Sequence, residues 1–142
     1  MKTYPKLAAL AVVPHSGKLL LVRRKNEPDA GLWGFPGGHV DPGETGLDAA
    51  IRELREETSV VAEAVDYLTN IDVIIKDDNE CITHHFLLAV VLCKYHSGEP
   101  VALDDVSEAD WFDFDIVLQS KLPMSKDVNT VLQTALHRMA DS

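Results

Sequence analysis

The stretch from Trp33 to Val60 constrains the fold more than any other part of the chain: it reads WGFPGGHVDPGETGLDAAIRELREETSV. A Pro-Gly-Gly turn interrupts an apolar run, an Asp-Pro-Gly cluster follows, and a helical pattern then continues to about Thr58. Thr45 is predicted to cap this helix, with Asp48 three residues on as in a capping box. Because the apolar residues recur at helical spacing, one side of the helix is predicted to pack against the rest of the protein.

A neighbouring stripe of the same helix carries three glutamates, Glu53, Glu56 and Glu57, at i, i+3, i+4 spacing. Like charges at this spacing repel one another, and Arg52 and Arg55 are predicted to lie on the far side of the stripe, with Arg52 nearest to Glu56. Oxygen-rich clusters suit hard divalent cations such as Mg²⁺ or Mn²⁺. The residues alone leave two interpretations open, a metal site and a solvated acidic face.

The whole stretch resembles the Nudix box, the signature of the Nudix hydrolases, which reads G-x5-E-x7-R-E-U-x-E-E-x-G-U with U an aliphatic residue. The matching positions are, in chain order, Gly38, Glu44, Arg52, Glu53, Leu54, Glu56, Glu57 and Val60. Ser59 replaces the final glycine, which would suit a left-handed helix end where serine costs on the order of 1 kcal/mol. This departure lies away from the carboxylates and so concerns the turn geometry. The runs LLVRRKNEPDAGLWGFPGG and GEP…DD…ADWF also resemble a bacterial branch called ADP-ribose pyrophosphatase-like.

The resemblance implies an α+β fold, the Nudix α/β/α sandwich, in which a mixed β-sheet is flanked by helices. It predicts a single domain over residues 1–142, with the box at 38–60, and the length suits one compact domain with a real core. The order of predicted elements agrees, since strands are followed by one helix, more strands and one or two helices. The predicted elements outside the box are a hairpin of strands at 7–13 and 19–23, strands at 60–65, 68–75 and 82–95, a short helix at 113–120 and a final helix capped by Ser125.

The resemblance also implies a reaction, the hydrolysis of a nucleoside diphosphate linked to another moiety into a nucleoside monophosphate and a phosphorylated remainder. Divalent ions would neutralise the diphosphate and lower the pKa of a bound water. The metal ligands carried over from the family are Glu53, Glu56 and Glu57, and the backbone carbonyl near Gly37 and Gly38 is a further candidate.

The remaining catalytic roles come from the same resemblance. Arg52 is carried over as the residue that orients the carboxylates, through Glu44 or a neighbouring glutamate. Family members differ over which glutamate is the general base; Glu53 is the first candidate here, and Glu99, in a later loop, is the second.

Substrate contacts are predicted outside the box. Arg23, at the end of a predicted strand, is either a solvated strand end or a phosphate contact. Trp33 and Phe35 alternate into the glycine turn, and they are either core anchors or a platform on which a base stacks.

The substrate itself is predicted only as a class. Ile75 stands where some ADP-ribose enzymes carry a proline, and Lys76 stands where dinucleoside polyphosphate hydrolases carry a tyrosine. ADP-ribose or a similar nucleotide sugar is favoured, and (deoxy)nucleoside triphosphates, including oxidised ones, are the alternative. A nucleotide-binding sensor of weak activity is a third interpretation, and the intact carboxylates count against it.

The composition bounds the partners. A formal net charge of -10 argues against a nucleic-acid or anionic-membrane surface, although bound cations let such a chain take a phosphorylated small molecule. No apolar run is long enough to span a bilayer. Cys81 and Cys93 lack metal-ligand spacing and are predicted to be reduced, buried thiols of a cytoplasmic protein. Since dimers are common in the family, the resemblance is compatible with a homodimer.

Overall fold

The computed structural model describes residues 4–141, so residues 1–3 and 142 lie outside the described part of the chain. The elements are, in chain order, β1 (Lys6–Val12), β2 (Pro14–His15), β3 (Lys18–Arg24), β4 (Trp33–Gly34), β5 (Gly37–His39), α1 (Gly46–Thr58), β6 (Val61–Lys76), β7 (Ile82–Ser97), β8 (Val106–Asp113), α2 (Phe114–Leu118) and α3 (Val128–Ala140). One sheet has the order β5-β1-β7-β6; in the other, β3 pairs with β2, β4 and β8. Because β1 and β7 are parallel and the other pairs antiparallel, the predicted mixed sheet is confirmed.

Successive side chains of a strand point to opposite faces, so the central strands feed two separate cores. On β7, Val90 and Leu92 pack with α3, and we call this cluster the α3-side core. Val91 and Cys93 pack with α1, and we call that cluster the α1-side core. Residues 90–93 are therefore buried on both faces, which confirms the prediction for the second half of the apolar run. Earlier in the run, Leu87 is 38% exposed.

The predicted hairpin between the first two long strands is wrong. β1 instead lies between β5 and β7 in one sheet, whereas β3 belongs to the other sheet and takes only the two-residue β2 as its hairpin partner. The reason is burial, because β1 carries apolar residues on both faces and needs a strand on each side and a core above and below it. The chain therefore changes sheets at Val13, which is fully buried.

The polar residues between 65 and 68 led to a prediction of two strands, at 60–65 and 68–75, but they do not interrupt the sheet. β6 is one strand of 16 residues, with register shifts between Ala64 and Asp66 and between Tyr67 and Thr69. Such bulges absorb an extra residue while pairing continues on either side. On this edge strand, Asp66 is free to pair with Arg138 of α3, at 2.5 Å between the carboxylate and the guanidinium.

The final helix forms as predicted in its packing but not in its cap. The residues of the apolar stripe that are buried are Val128, Val131, Leu132 and Ala135. Ser125 does not cap the helix; its N–H donates to the Trp33 carbonyl at 2.9 Å, which fastens this segment to β4.

No helix within residues 4–141 has both the length and the apolar character needed to cross a bilayer.

Candidate active site

Both ends of α1 are closed by capping hydrogen bonds of the kind that the sequence predicts. Thr45 Oγ1 accepts the N–H of Asp48 at 3.0 Å, so the predicted N-cap is confirmed. Ser59 adopts the left-handed conformation with φ 68°, and its N–H donates to the Arg55 carbonyl at 2.9 Å. Serine therefore takes the geometry that the family's glycine would take, and α1 ends where the box predicts.

The glycine turn lies directly against two of the helix glutamates. The N–H of Gly37 donates to Glu57 Oε1 at 2.8 Å. A Cβ placed on Gly38 would lie 2.5 Å from Glu53 Cδ, closer than any real contact. Because the clashing atoms are the end of the flexible Glu53 side chain, a larger residue at position 38 would displace this carboxylate.

Arg52 gathers the remaining carboxylates around one guanidinium. It binds Glu44 through two hydrogen bonds, from Nε at 2.7 Å and from Nη2 at 2.9 Å. Its Nη1 donates to Glu53 at 2.8 Å and to Glu56 at 3.2 Å. Helical spacing predicts Glu56 as the nearest partner, and the resemblance names Glu44 or a neighbouring glutamate. The loop before α1 returns Glu44 to the helix, and this two-bond pair contains the shortest contact. Nη2 also donates to the His39 carbonyl at 2.9 Å, which ties the cluster to β5.

The carboxylates of this cluster titrate differently because their surroundings differ. The hydrogen bond from Arg52 is the main cause that lowers the pKa of Glu44 to about 2. Burial raises the pKa of Glu57 to about 7, against the opposing effect of the Gly37 N–H. Burial also raises the pKa of Glu53, which Arg52 counteracts. Glu53 and Glu57 are thus desolvated carboxylates whose negative charge is only partly compensated.

Within residues 4–141 the side chains, as arranged, form no group of three His, Cys, Asp or Glu residues that could hold a metal ion. The donor chemistry nevertheless fits a hard cation. Glu53, Glu56 and Glu57 each use one oxygen for the contacts given above, and the second oxygen of each has no hydrogen-bond partner in the described part of the chain. Three carboxylate oxygens on one helix face are the ligand type that Mg²⁺ and Mn²⁺ prefer.

The later loop contributes a residue that sequence reasoning missed. Glu99 and Asp104 are both exposed, and of the two only Asp104 is a cause of the raised pKa of Glu53 and Glu57, through its negative charge. The loop is fastened to the end of α1, since Leu103 N–H donates to the Glu57 carbonyl at 2.9 Å. The Asp104-Asp105 doublet in the sequence is the signal that could have pointed to this position.

The predicted substrate contacts do not meet at the carboxylates. The Arg23 side chain donates from Nε to the Gly31 carbonyl at 3.0 Å and lies 3.6 Å from a Glu108 carboxylate oxygen. Trp33 and Phe35 are 8% and 6% exposed and belong to the α3-side core, so burial favours the core interpretation for both. The role of Arg23 as a phosphate contact stays a prediction.

Comparison with known proteins agrees with this arrangement. The family described as the NUDIX domain matches residues 4–133 of the chain. The chain belongs to the Nudix family. This confirms the family that the box predicts, and the fold follows with it.

Three relatives of this Nudix chain illustrate its similarities. It is 32% identical over 110 residues to an ADP-ribose pyrophosphatase of Methanocaldococcus jannaschii, a match that covers 78% of this chain and 63%, less than two thirds, of that protein. It is 33% identical over 121 residues to an oxidized purine nucleoside triphosphate hydrolase of Danio rerio, covering 85% of this chain and 71% of that one. The solved NUDIX domain of Shewanella oneidensis NrtR, complexed with ADP ribose, superposes with a TM-score of 0.77 at 26% identity, covering 97% of this chain and 90% of that one.

Proposed function

We propose that this protein is a divalent-cation-dependent pyrophosphohydrolase that acts on a nucleoside diphosphate linked to another moiety. The products are a nucleoside monophosphate and the phosphorylated remainder. The observation that carries this proposal is the group of three helix glutamates beside the glycine turn, two of them desolvated, with Arg52 bound to a carboxylate outside the helix. A bland solvated helix face would carry neither the desolvation nor the close approach of Gly38.

Glu53, Glu56 and Glu57 would hold Mg²⁺ or Mn²⁺, with the backbone carbonyl near Gly37 and Gly38 as a further donor. When bound, the cation neutralises the diphosphate and lowers the pKa of the water that attacks it. The chain supplies the positioning. Arg52 holds one oxygen of Glu53 and leaves the other free, and a carboxylate held in this way is suited to accept a proton from water.

Glu53 is therefore the first candidate for the general base. Among the later-loop candidates, Asp104 joins Glu99, and its charge acts on Glu53 and Glu57. Arg52 acts through its neighbours, since it contacts Glu44, Glu53 and Glu56 at once. Partners of this kind keep ligands within the narrow geometry that catalysis needs.

ADP-ribose or a similar nucleotide sugar is the favoured substrate. The similarity to an enzyme named ADP-ribose pyrophosphatase and the likeness to a NUDIX domain complexed with ADP ribose support it. The similarity to an oxidized purine nucleoside triphosphate hydrolase supports nucleoside triphosphates as the second candidate. The two-bond Arg52–Glu44 pair counts against a weakly active sensor, because binding alone does not need carboxylates held so firmly. A homodimer and a cytoplasmic location stay predictions.

A hydrolysis screen over nucleotide sugars, nucleoside triphosphates and dinucleoside polyphosphates, read as nucleoside monophosphate formed and run with Mg²⁺ and with EDTA, tests the proposal. We expect ADP-ribose to be cleaved to AMP and ribose phosphate in Mg²⁺ and to survive in EDTA. Faster turnover of triphosphates would select the second candidate. Binding of ADP-ribose without turnover of any compound would make the protein a sensor, and full activity in EDTA would remove the metal from the mechanism.

A further inference from the structure

Two adjacent arginines end β3, and they project to different sides of the sheet. Leu19 and Leu21 of this strand lie in the α3-side core, and Leu20 lies in the α1-side core. By the same alternation Arg23 falls on the α3 side, where it pairs in register with Trp33 and approaches Glu108. Arg24 falls on the side of α1, which carries the glutamates.

A β-bulge separates the two arginines. Arg23 pairs with Glu108 of β8, whereas Arg24 pairs with Val106, two residues away, so the register shifts between them. The extra, unpaired residue is Ser107 of β8, so β3 itself keeps its alternation and the two arginines stay on opposite sides. Here the register shift lies between Arg23 and Arg24, at the end of β3.

Arg24 is anchored in a way that leaves most of its guanidinium available. Its Nε donates to the Pro28 carbonyl at 3.1 Å, and its own backbone N–H donates to the Leu32 carbonyl at 3.0 Å. Within residues 4–141, the two terminal nitrogens have no hydrogen-bond or ion-pair partner. Arg23 differs, because one of its terminal nitrogens faces Glu108. Arg24 therefore offers a half-buried, oriented guanidinium with four N–H donors unused.

The charge of Arg24 reaches the carboxylate cluster across a gap. It favours the ionised form of Glu57 through space, although the two groups form no ion pair in the described chain. The neighbouring Lys25 fastens the strand end to the later loop, since its Nζ donates to the Asp104 carbonyl at 3.2 Å. Arg24 thus lies on the α1 side of the sheet with its terminal nitrogens unpaired in the described chain, and its charge acts on Glu57 without an ion pair.

We infer that Arg24, rather than Arg23, contacts the diphosphate of the substrate and holds it opposite the helix glutamates. A phosphoryl group suits this pair of partners because its oxygens bind a divalent cation and also accept paired N–H donors of a guanidinium. This inference rests on the proposed function for the identity of the substrate. It names the residue that balances the phosphate charge in a chain whose net charge is -10.

Calorimetric titration with magnesium pyrophosphate tests the inference without any need for turnover. We expect Arg24→Ala to lower the affinity about 10- to 100-fold, the usual range for loss of hydrogen bonds to a charged group. Arg24→Lys should recover part of the loss, because it restores the charge but not the paired donors. Arg23→Ala should change the affinity by less than about threefold, and Lys18→Ala, which removes a positive charge from the exposed start of the same strand, should leave it unchanged.

Steady-state hydrolysis of ADP-ribose supplies the second readout. We expect Arg24→Ala to raise KM with a smaller change in kcat, since the contact exists in both the ground state and the transition state. Thermal melting of each variant checks that the fold is kept. A loss that appears only as a lower melting temperature, with affinity unchanged in the folded protein, would make Arg24 a structural residue.

The outcomes separate this inference from the proposed function. Equal affinity of Arg24→Ala and wild type, a larger loss in Arg23→Ala, or no pyrophosphate binding by the wild type would each overturn the role of Arg24. The wild type could bind pyrophosphate in a way that requires Arg24 and yet hydrolyse none of the diphosphates. That result would support the role of Arg24 and overturn the proposed hydrolase function.

Discussion

Two regions contribute to the proposed site by different means: the box at residues 38–60, and the strand-end region, by which we mean Arg23, Arg24 and the loop that carries Asp104. In the box, Glu53, Glu56 and Glu57 lie on one helix face because of their spacing along the chain. In the strand-end region, Arg24 and Asp104 are 80 positions apart in sequence, and their charges act on the glutamates only because strand pairing and a loop fastened to α1 place them. The comparison shows that local spacing can encode a set of carboxylates, whereas the charged groups placed around it depend on the assembled sheet.

The largest expected effect belongs to the box. Glu57→Gln should lower turnover by orders of magnitude, since it removes a charged ligand from the proposed cation site. Glu63→Gln on β6, an exposed glutamate paired with His96, is the matched control and should be neutral. Kinetics at saturating and limiting Mg²⁺ would check this, and equal activity of the two variants would break the comparison.

Although Glu57→Gln should lower turnover, it should raise the stability of the metal-free protein. Burial raises the pKa of Glu57 from 4.5 to about 7, so the stability that its carboxyl contributes is fully present below pH 4.5 and is lost as the pH rises through 7. In EDTA at pH 8, Glu57→Gln should therefore melt at a higher temperature than the wild type. A lower melting temperature would mean that the Gly37 contact outweighs the desolvation.

The next largest effect distinguishes Arg52, which contacts the glutamates, from Arg55, which lies on the exposed side of the same helix. Arg52→Gln should lower kcat about 10- to 100-fold with little change in melting temperature, because it releases three carboxylates. Arg55→Gln, on the exposed side of α1, should change neither quantity. Loss of stability with kcat preserved in the folded fraction would make Arg52 a structural ion-pair residue.

A smaller effect on kcat is expected at Asp104, which belongs to the strand-end region. Asp104→Asn should lower kcat about 10-fold, by removing a charge that acts on Glu53 and Glu57. Asn tolerates the left-handed conformation that Asp104 adopts at φ 58°, so the loop should keep its shape. Glu99→Gln is the paired measurement, and a larger loss there would favour Glu99 as the later-loop catalytic residue.

The smallest effect concerns the one departure from the box. Ser59→Gly should stabilise the protein by up to about 1 kcal/mol, because glycine adopts the left-handed helix end without strain. The φ of 68° at Ser59 is the observation behind this expectation. Chemical denaturation of the two proteins would measure it, and turnover should not change because Ser59 contacts none of the glutamates in the described chain.

Much of the fold followed from local pattern, and its failures have physical causes. Thr45 as a cap, Ser59 as the left-handed end and the buried stripe of α3 all depend on residues within a turn or two of one another. The hairpin prediction failed because pairing partners are chosen by burial across the whole sheet. Ser125 failed as a cap because its backbone is engaged by β4, which lies about 90 residues earlier in the chain.

The sequence by itself determined the family, the mixed fold and the carboxylate set, since each follows from spacing along one continuous stretch. Only the tertiary structure decided which charged groups face those carboxylates. Alternation along β3 sends Arg23 and Arg24 to different sides, and the later loop, hydrogen-bonded to α1 and Lys25, carries Asp104, whose charge acts on Glu53 and Glu57. Electrostatic interactions fall off with distance and with exposure to water, so a charge acquires its role only when folding sets both.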